Sequence, residues 1–263
     1  MTAPNEAAAA LHEARAGRQK VAPLGPLAPA TEAEGYAVQV ALAEATGAMP
    51  PAGFKVGATA ATMQAYLGVA TPAAGFMAAA NLKPGGFSTP FGNWISPGTE
   101  CEIALRLGAD IPFTGSPPSR EAAAAAVATV LPAIEIVENR YTDMKAVGTP
   151  TLIADQFFHA AAVLGPETRF DQAALAAGAL REIAGGMRID GALFGEGRGA
   201  DLLGDPLAVL CWLAGSGAAA AFGGLRAGQV ILCGSVTPPA WAAGPCLVEV
   251  GFAGLGAVSV RFA

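Results

Sequence analysis

Charged residues are scarce in this sequence of 263 residues, at 14% of the chain, and basic residues are the scarcer kind. The 15 lysines and arginines against 21 aspartates and glutamates leave a net charge of -6, so the basic surplus that is typical of nucleic-acid-binding proteins is missing. Hydrophobic residues make up 53%, which excludes the composition of intrinsic disorder. The composition predicts a globular protein with a sizeable core and without a nucleic-acid partner.

Cysteine is sparse as well. The four cysteines (Cys101, Cys211, Cys233 and Cys246) lie too far apart for a CxxC zinc site, and they are too few for a disulfide framework. We therefore expect a protein of the reducing cytoplasm.

Neither a signal peptide nor a membrane span is expected. Segment 6–20 mixes charged residues with alanines, which predicts an amphipathic helix rather than the apolar core of a signal peptide. Segment 206–225 carries no charge over about the 20 residues that a membrane helix needs. It is rich in alanine and glycine, however, and has no basic cluster at either flank, so a buried helix is the better interpretation.

The pattern of helix and strand signals predicts an α+β protein. Helices are expected at 5–18, 31–46, 59–67 (ending at Gly68), 119–131, 155–164 and 205–222, and strands at 53–57, 100–107, 133–138, 188–193, 229–233, 247–252 and 257–262. The first two helices, joined by the proline-rich connector 21–30, predict a helical N-terminal cap over residues 1–50. The remaining elements do not alternate regularly, which favours a curved or rolled sheet with helices on its rim over residues 51–263.

Two glutamates stand out on the strand at 100–107. Because side chains alternate along a strand, Glu100 and Glu102 share one face and are close enough to hold one cation jointly. The alternative is an ordinary strand edge that faces solvent.

Glu135 lies in the apolar segment 130–137, where its neighbours are expected to be buried. A carboxylate in such a strand must be paired, hydrogen-bonded or bound to a metal. Three carboxylates without a suitable histidine or cysteine favour a hard cation, Mg²⁺ or Mn²⁺, over zinc. Glu138 lies on the opposite face of the predicted strand from Glu135. We interpret Glu138, Arg140 and Asp143 as a flanking polar network.

Three further residues are candidates with two interpretations each. Lys55 is the one charged residue in 52–67; its ammonium group either reaches solvent along an apolar stem or holds a substrate carboxylate. Asp155 either caps the predicted helix 155–164 or takes part in catalysis. His159, in the first turns of that helix, is either a core residue or a catalyst.

The glycine-rich segment 233–238 follows a predicted strand and contains the hydroxyls of Ser235 and Thr237. With its backbone N–H groups it resembles a small anion pocket. No GxxxxGK[ST] pattern occurs in the chain, so nucleotide binding has no support.

Several short motifs, taken in order, resemble those of the 2-keto-4-pentenoate hydratases and 4-oxalocrotonate decarboxylases, a branch of the fumarylacetoacetate hydrolase superfamily. The resemblance covers nearly the whole chain and rests on the order and spacing of the motifs. They are Phe54-Lys55-Val56-Gly57, Leu67-Gly68-Val69 with Gly75 after it, Glu100-Cys101-Glu102-Ile103-Ala104, segment 131–137, Ile153-Ala154-Asp155, Gly234-Ser235-Val236-Thr237 and segment 254–260.

The resemblance implies a mixed β-roll catalytic domain and a Mg²⁺ or Mn²⁺ ion held by Glu100, Glu102 and Glu135. It also implies a substrate that is a small 2-oxo or 2-hydroxy-dienoic acid from the degradation of aromatic compounds, bound to the metal through its C1 carboxylate and C2 oxygen. Lys55 would position that carboxylate, and Gly57, Ser235 and Thr237 would line the same pocket. The metal would act as a Lewis acid, and water addition would further need a proton donor and a base.

The sequence departs from the hydratase pattern at two places. Ala78-Ala79-Ala80 stands where an acidic residue is expected after Gly75, and Asp155-Gln156-Phe157-Phe158-His159 replaces a stretch of the type Asp-Asn-Ala-Ser-Ser. One hypothesis is that His159, or a water molecule on the metal, takes over the missing proton transfer.

The leading functional prediction is a metal-dependent, hydratase-like lyase of the cytoplasm. The alternatives are a decarboxylase of 2-oxo-dienedioates and a non-catalytic subunit that stabilises an active partner. The resemblance also suggests a homo-oligomer that is in complex with an enzyme of the same pathway.

Overall fold

The helices of the chain lie mainly at its N-terminus and around the rims of its sheets. The computed structural model describes residues 3–67 and 69–263, so the predicted helix end at Gly68 lies outside the described residues. Within these ranges the helices are α1 Ala3–Ala16, α2 Glu32–Ala45, α3 Ala61–Leu67, α4 Arg120–Ala126, α5 Met144–Ala154, α6 Gln172–Ala176, α7 Pro206–Ala214 and α8 Gly217–Phe222.

The strands include both very short and very long ones. They are β1 Gly53–Gly57, β2 Ala73–Met77, β3 Leu82–Pro84, β4 Phe87–Thr89, β5 Pro97–Leu107, β6 Val127–Glu138, β7 His159–Leu164, β8 Ala184–Ile189, β9 Ala192–Arg198, β10 Val230–Ser235, β11 Ala240–Trp241, β12 Cys246–Phe252 and β13 Gly256–Phe262.

The strands form two mixed sheets. The larger has the order β2-β1-β10-β5-β6-β7-β3, with β11 paired to β5, and the smaller has the order β4-β13-β12-β8-β9. Pairs β1–β10, β3–β7 and β4–β13 are parallel, and the other pairs are antiparallel. Strands β12 and β13 of the smaller sheet contact β5, β6 and β7 of the larger one. The predicted α+β class, with N-terminal helices and a mixed, curled sheet, is confirmed.

The two N-terminal helices lie close to their predicted positions, at 3–16 and 32–45 instead of 5–18 and 31–46. Thr31 caps α2: its side chain accepts a hydrogen bond from the backbone N–H of Glu34, whose carboxylate accepts one from Thr31 N–H in return. Helix α2 packs on α1 and α5, and Leu11 and Leu42 belong to the same hydrophobic cluster as Phe54 of β1. The division of the chain near residue 50 stays a prediction.

Two predicted helices are shorter than expected. The helix predicted at 119–131 ends at Ala126, because Val127 to Leu131 already pair with β5 as the start of β6. The helix predicted at 205–222 is broken at Gly215, and Ser216 caps α8 through its side chain. No helix of the described residues is long and apolar enough to cross a membrane.

The helix predicted at 155–164 is wrong. The chain leaves α5 at Ala154, and the next residues, Gln156, Phe157 and Phe158, have φ values of 60°, 48° and 71°. Left-handed residues cannot continue a right-handed helix. From His159 the chain pairs with β6, so strand pairing overrides the helix propensity of Ala160-Ala161-Ala162.

The strand predicted at 188–193 is a hairpin. Asp190 and Gly191 have φ values of 49° and 83° and form the turn between β8 and β9, where Asp-Gly is a strong hairpin signal. Helix α5, whose pattern is interrupted by Gly148 and Pro150, was not predicted from the sequence. Neither were the short helix α6 and the short strands β2, β3, β4 and β11.

Candidate metal and substrate site

Two long antiparallel strands bring the three predicted glutamates together. Glu100 of β5 lies directly opposite Glu135 of β6, and Glu102 follows on the same face of β5. One carboxylate oxygen from each of the three lies within 4.8 Å of the others. Strand β5 lies between β10 and β6, and Glu102 is fully buried, so the alternative of a solvent-facing strand edge is wrong.

Two oxygens of this cluster form no hydrogen bond, although one of them lies near the ammonium group of Lys55. Glu102 Oε2 accepts from the backbone N–H of Gly234 at 2.7 Å, and Glu135 Oε1 lies 2.9 Å from Nδ1 of His159. Glu102 Oε1 and Glu135 Oε2 are buried and form no hydrogen bond with the described residues. Buried carboxylate oxygens are costly unless they are satisfied, and three carboxylates are the donors that Mg²⁺ and Mn²⁺ prefer. The residues present fit a divalent cation.

The three carboxyl groups differ in how easily they ionise. Burial and the negative charge of Glu135 raise the pKa of Glu100 to about 7 and that of Glu102 well above its usual value. Burial also opposes ionisation of Glu135, but Lys55 and His159 outweigh it and hold the pKa of Glu135 below its usual value. Glu135 is therefore the carboxyl group that ionises most readily, whereas Glu100 and Glu102 ionise less readily than free glutamates. A divalent cation would favour the ionised forms of Glu100 and Glu102.

Lys55 contacts the same cluster from β1. Its side chain is 3% exposed, and Nζ lies 3.4 Å from Glu135 Oε2. The ring of Phe157 lies 5.1 Å from Nζ, measured to the ring centroid. The ammonium group is therefore buried beside the carboxylates, and the interpretation that it reaches solvent is wrong.

A cavity with two arms opens at Glu100. Gly57, Met63 and Glu100 line both arms. The first, which we call the polar arm, has a volume of about 770 Å³ and is further lined by Thr59, Gln64, Asp201, Ser235 and Thr237. The second, which we call the apolar arm, has a volume of about 380 Å³ and is further lined by Lys55, Leu67, Val137, Met144, Phe157 and Trp241. The predicted residues Lys55, Gly57, Ser235 and Thr237 thus all line this cavity.

The glycine-rich segment does not form the anion pocket that its backbone suggested. Three of its N–H groups are occupied: Gly234 donates to Glu102, Val236 donates to the carbonyl of Cys101, and Thr237 donates to Ser235 Oγ at 3.3 Å. A Cβ atom at residue 234 would lie 2.1 Å from Thr59 Oγ1, so only glycine lets this segment pack against Thr59. The side chains of Ser235 and Thr237 remain as its contribution to the cavity.

His159 lies behind the cluster, not in the cavity. It is the first residue of β7 rather than part of a helix, it is fully buried, and its Nδ1 faces Glu135. Its Nε2 has no hydrogen-bond partner among the described residues. Burial lowers the pKa of His159, although Glu135 partly offsets this effect. The imidazole therefore orients Glu135 in its neutral form.

Asp155 is the centre of a buried ion cluster and does not cap a helix with its side chain. Arg15 Nε donates to Asp155 Oδ1 at 2.6 Å, Arg140 Nη2 lies 3.2 Å from Oδ2, and the hydroxyl of Tyr141 donates to Oδ2 at 2.8 Å. Burial opposes the charge on Asp155, but the two guanidinium groups outweigh it and hold its pKa below the usual value.

The predicted polar network around Glu138 is only partly present. Glu138 Oε2 lies 3.7 Å from Arg140 Nη1, so these two residues do interact. Asp143 instead caps α5 by accepting hydrogen bonds from the backbone N–H groups of Lys145 and Ala146.

Sequence reasoning missed the residues that shape the apolar arm. Phe157 and Met144 reach it from the unpredicted left-handed segment and from α5, and Trp241 reaches it from β11. The signal that was available is the Phe157-Phe158 pair, two large aromatic side chains that follow Asp155 after one intervening residue.

Comparison with known proteins identifies relatives that cover nearly the whole chain. A family model described as the fumarylacetoacetate (FAA) hydrolase C-terminal domain matches residues 69–263. The TodF product hydratase of Pseudomonas putida is 33% identical over 99% of this chain and 96% of its own length. A 2-keto-4-pentenoate hydratase of Paraburkholderia phymatum is 31% identical over 97% of this chain and 95% of its own length.

A solved structure is similar over almost the full length. The 4-oxalocrotonate decarboxylase from Pseudomonas putida G7, in complex with magnesium and adipate, has a TM-score of 0.87 and 27% identity, with 99% of this chain and 97% of that chain covered. The same enzyme in complex with calcium and acetate has a TM-score of 0.85.

Proposed function

Because the chain belongs to the fumarylacetoacetate hydrolase family, as its motifs predicted, we propose that it is a metal-dependent hydratase of that family which acts on a small 2-hydroxy-dienoic acid in the degradation of aromatic compounds. The observation that carries this proposal is the cluster of Glu100, Glu102 and Glu135, in which two buried oxygens form no hydrogen bond, with the ammonium group of Lys55 beside it in the apolar arm. A cation site next to a buried ammonium group fits a substrate that carries a carboxylate and a neighbouring oxygen.

Glu100, Glu102 and Glu135 would hold the cation, and either Mg²⁺ or Mn²⁺ suits their oxygens. A divalent cation bound there supplies Lewis-acid stabilisation of negative charge on the C2 oxygen of the substrate, worth several kcal/mol. The relative with known structure binds magnesium, which supports a divalent cation; the choice between magnesium and manganese is part of the proposal.

The side chains of the cavity bind and orient the acid. Lys55 donates to the C1 carboxylate from the apolar arm, where the buried ammonium group makes a strong charge-assisted bond. Gly57 leaves room beside it, since a Cβ atom there would lie 3.0 Å from Lys55 Nζ. Ser235 and Thr237 offer hydroxyls from the polar arm, where the water that adds across the distal double bond would be bound.

For the proton transfers we assign His159 and Asp155 indirect roles. Both are buried, and neither is among the described residues that line the two arms. His159 orients Glu135, and Asp155 holds Arg140 and Arg15. We propose that both residues position the site and that the proton moves through groups of the cavity itself.

Decarboxylation of a 2-oxo-dienedioate is the second candidate function, favoured by the similarity in fold to 4-oxalocrotonate decarboxylase. This reaction needs the same binding of the C1 carboxylate and C2 oxygen of the substrate, but no water is added. The third possibility, a non-catalytic subunit, is based on Ala78-Ala79-Ala80, which stands where an acidic residue is expected. The cation site and Lys55 favour a catalytic protein instead.

We further propose a homo-oligomer in the cytoplasm that associates with an enzyme of the same pathway. All four cysteines are free thiols, as a reducing compartment requires. Edge strand β9 exposes Leu193 (52%) and Phe194 (43%), which supports a subunit contact there.

The test follows the loss of diene absorbance when the purified protein is mixed with 2-hydroxypenta-2,4-dienoate, with Mg²⁺ or Mn²⁺ and after chelation. Metal-dependent loss of the diene is expected, and Glu102→Gln should abolish it. Glu249→Gln, at an exposed strand position, is the matched control. Release of CO₂ from 2-oxohex-3-enedioate without hydration would instead support the decarboxylase, and activity on neither acid would contradict both functions.

A further inference from the structure

The two arms of the cavity have few positive charges. Among the described residues that line them, Lys55 is the one with a cationic side chain, and it is already beside Glu135. The polar arm adds a further acidic group, Asp201. A substrate with one carboxylate therefore finds a cation in this cavity, whereas a second carboxylate would find none.

The apolar arm is built for an uncharged group. Besides Lys55 and Glu100 it is lined by one neutral amide, Asn139, and its other walls are mainly hydrophobic: Val137 is buried on β6, Phe157 packs against the lysine, and Met144 and Trp241 line the arm as well. A carboxylate there would lose its hydration, would lie near the negative Glu100, and would gain no cationic partner besides Lys55 among the described lining residues, which is a large penalty. A methyl, alkyl or aryl group would gain free energy from the same walls.

The size of the apolar arm also favours an additional uncharged group on the substrate. Its volume of about 380 Å³ lies within the range of about 300–1,000 Å³ that is typical of sites for small molecules. The terminal CH₂ group of a five-carbon dienoate fills only a small part of it. The arm has room for several further carbon atoms.

We infer that the substrate carries an uncharged, apolar substituent at its end distal to the carboxylate, and that this substituent lies in the apolar arm. The inference rests on the proposed function and narrows its substrate class to alkyl- or aryl-substituted 2-hydroxy-dienoates. It also separates the substrate from the dienedioates, which carry a carboxylate in the same position.

The experiment compares three acids: 2-hydroxypenta-2,4-dienoate, 2-hydroxyhexa-2,4-dienoate, which has one more methyl group, and 2-hydroxyhexa-2,4-dienedioate, in which a carboxylate replaces that methyl group. Both diene loss and CO₂ release are followed. The methyl group should raise kcat/KM by about fourfold, and the carboxylate should lower it by about a hundredfold or more relative to the methyl compound.

Two variants locate the distal group. Met144→Lys places a cation in the apolar arm and should raise the relative kcat/KM for the dienedioate about tenfold or more, while Met144→Leu, the matched control, should not. Leu203→Lys places the cation in the polar arm and should leave the ratio unchanged.

A wild-type preference for the dienedioate, or a shift in the ratio from Leu203→Lys and not from Met144→Lys, would overturn the inference alone. Turnover of none of the three acids would overturn the proposed function and the inference with it.

A second, independent observation concerns the segment between α5 and β7. Gln156, Phe157 and Phe158 are three consecutive non-glycine residues in the left-handed region, which is sterically unfavourable for each of them. The segment matters to the site, because it places the Phe157 ring over Lys55 and leads directly to His159, which contacts Glu135.

Arg15 of α1 holds this segment from outside the cavity. Its Nη2 donates to the backbone carbonyl of Asp155 at 2.8 Å, its Nε donates to the carboxylate of Asp155, and its Nη1 donates to Gln156 Oε1. Gln156 in turn donates from Nε2 to the carbonyl of Phe76 at 2.6 Å. The guanidinium group thus fixes both the backbone and the side chain where the strained turn begins.

We propose that Arg15 is a positioning residue, which keeps Phe157 and His159 in place and through them Lys55 and Glu135. Arg15→Ala should lower kcat about tenfold or more while KM changes less, and added millimolar guanidinium should restore much of kcat. Arg15→Lys is the milder variant, since an ammonium group cannot bind all three acceptors. Arg18→Ala, three residues further on at an exposed position, is the control.

Circular dichroism and thermal unfolding show whether the variants are folded. A folded Arg15→Ala protein with wild-type kcat would overturn the proposal. So would a loss of kcat in a folded Arg15→Ala protein that added guanidinium does not restore.

Discussion

Replacing Lys55 with methionine separates cation binding from catalysis. Nζ lies 3.4 Å from Glu135 Oε2, with 3% and 0% of the two side chains exposed. At an effective dielectric constant of about 20, Coulomb's law assigns this contact about 5 kcal/mol before desolvation. Removing one partner of a buried ion pair typically costs about 3–5 kcal/mol. We expect Lys55→Met to lower the free energy of unfolding by about 3 kcal/mol, since Glu135 can relieve part of the cost by taking up a proton.

A divalent cation should offset much of this loss. The variant keeps Glu100, Glu102 and Glu135, and the repulsion between the ammonium group and the cation is gone. Mg²⁺ should therefore raise the melting temperature of Lys55→Met more than that of the wild type. The substrate carboxylate, however, loses its ammonium partner, so kcat/KM should fall by about a hundredfold or more.

The assays are thermal unfolding with and without Mg²⁺, titration with Mn²⁺, and steady-state kinetics on 2-hydroxyhexa-2,4-dienoate. Lys20→Met, at an exposed position, is the control for the change of charge. A folded Lys55→Met protein that turns over substrate like the wild type, or that no longer binds Mn²⁺, would refute this reasoning.

Three other predictions follow from the same contacts. His159→Gln should weaken Mn²⁺ binding about tenfold, because a glutamine orients Glu135 less well than the imidazole does. An unchanged Mn²⁺ affinity would contradict this prediction. An unchanged pH profile of turnover would rule out proton transfer by His159. The folded pKa of Glu100, about 7, lies above its ordinary value of 4.5, so the metal-free folded protein retains a proton that the unfolded chain has lost. The contribution of Glu100 to the free energy of unfolding should therefore fall as the pH rises from 4.5 to about 7. Mg²⁺ should raise the melting temperature more at about pH 8 than at about pH 6, because less proton has to be displaced from Glu100. Equal shifts in melting temperature at both pH values would contradict the assignment of Glu100 as a ligand. Gly75→Ala should destabilise the protein by about 2 kcal/mol or more, because its Cβ atom would lie 2.3 Å from the carbonyl oxygen of Gln156; a denaturant unfolding curve that matches the wild type would contradict this close contact.

The cation site could be predicted from the sequence because its signal is local. The alternation on β5 puts Glu100 and Glu102 on one face, and Glu135 is conspicuous in an apolar strand. What the pattern does not contain is the strand register that sets Glu135 opposite Glu100. That register depends on contacts between residues that are distant in sequence. The resemblance to a known family, and not the pattern, indicated that the three glutamates lie together.

The segment from Asp155 to His159 shows where sequence reasoning fails. Asp155 and the alanines at 160–162 predict a capped helix, yet three left-handed residues follow the end of α5 and the chain continues as β7. The contacts that hold this turn come from Arg15, at the other end of the chain, and from the carbonyl of Phe76. Propensity within a window contains no information about such partners, so the aromatic wall of the apolar arm was missed.

The central claim is that Glu100, Glu102 and Glu135 hold one divalent cation at the head of the substrate cavity. Anomalous diffraction from crystals of the protein that have been soaked in Mn²⁺ tests it most directly. We predict one strong anomalous peak with an oxygen of each of the three carboxylates at about 2.0–2.3 Å. A peak elsewhere, or no peak between these carboxylates in crystals that contain Mn²⁺, would contradict the claim.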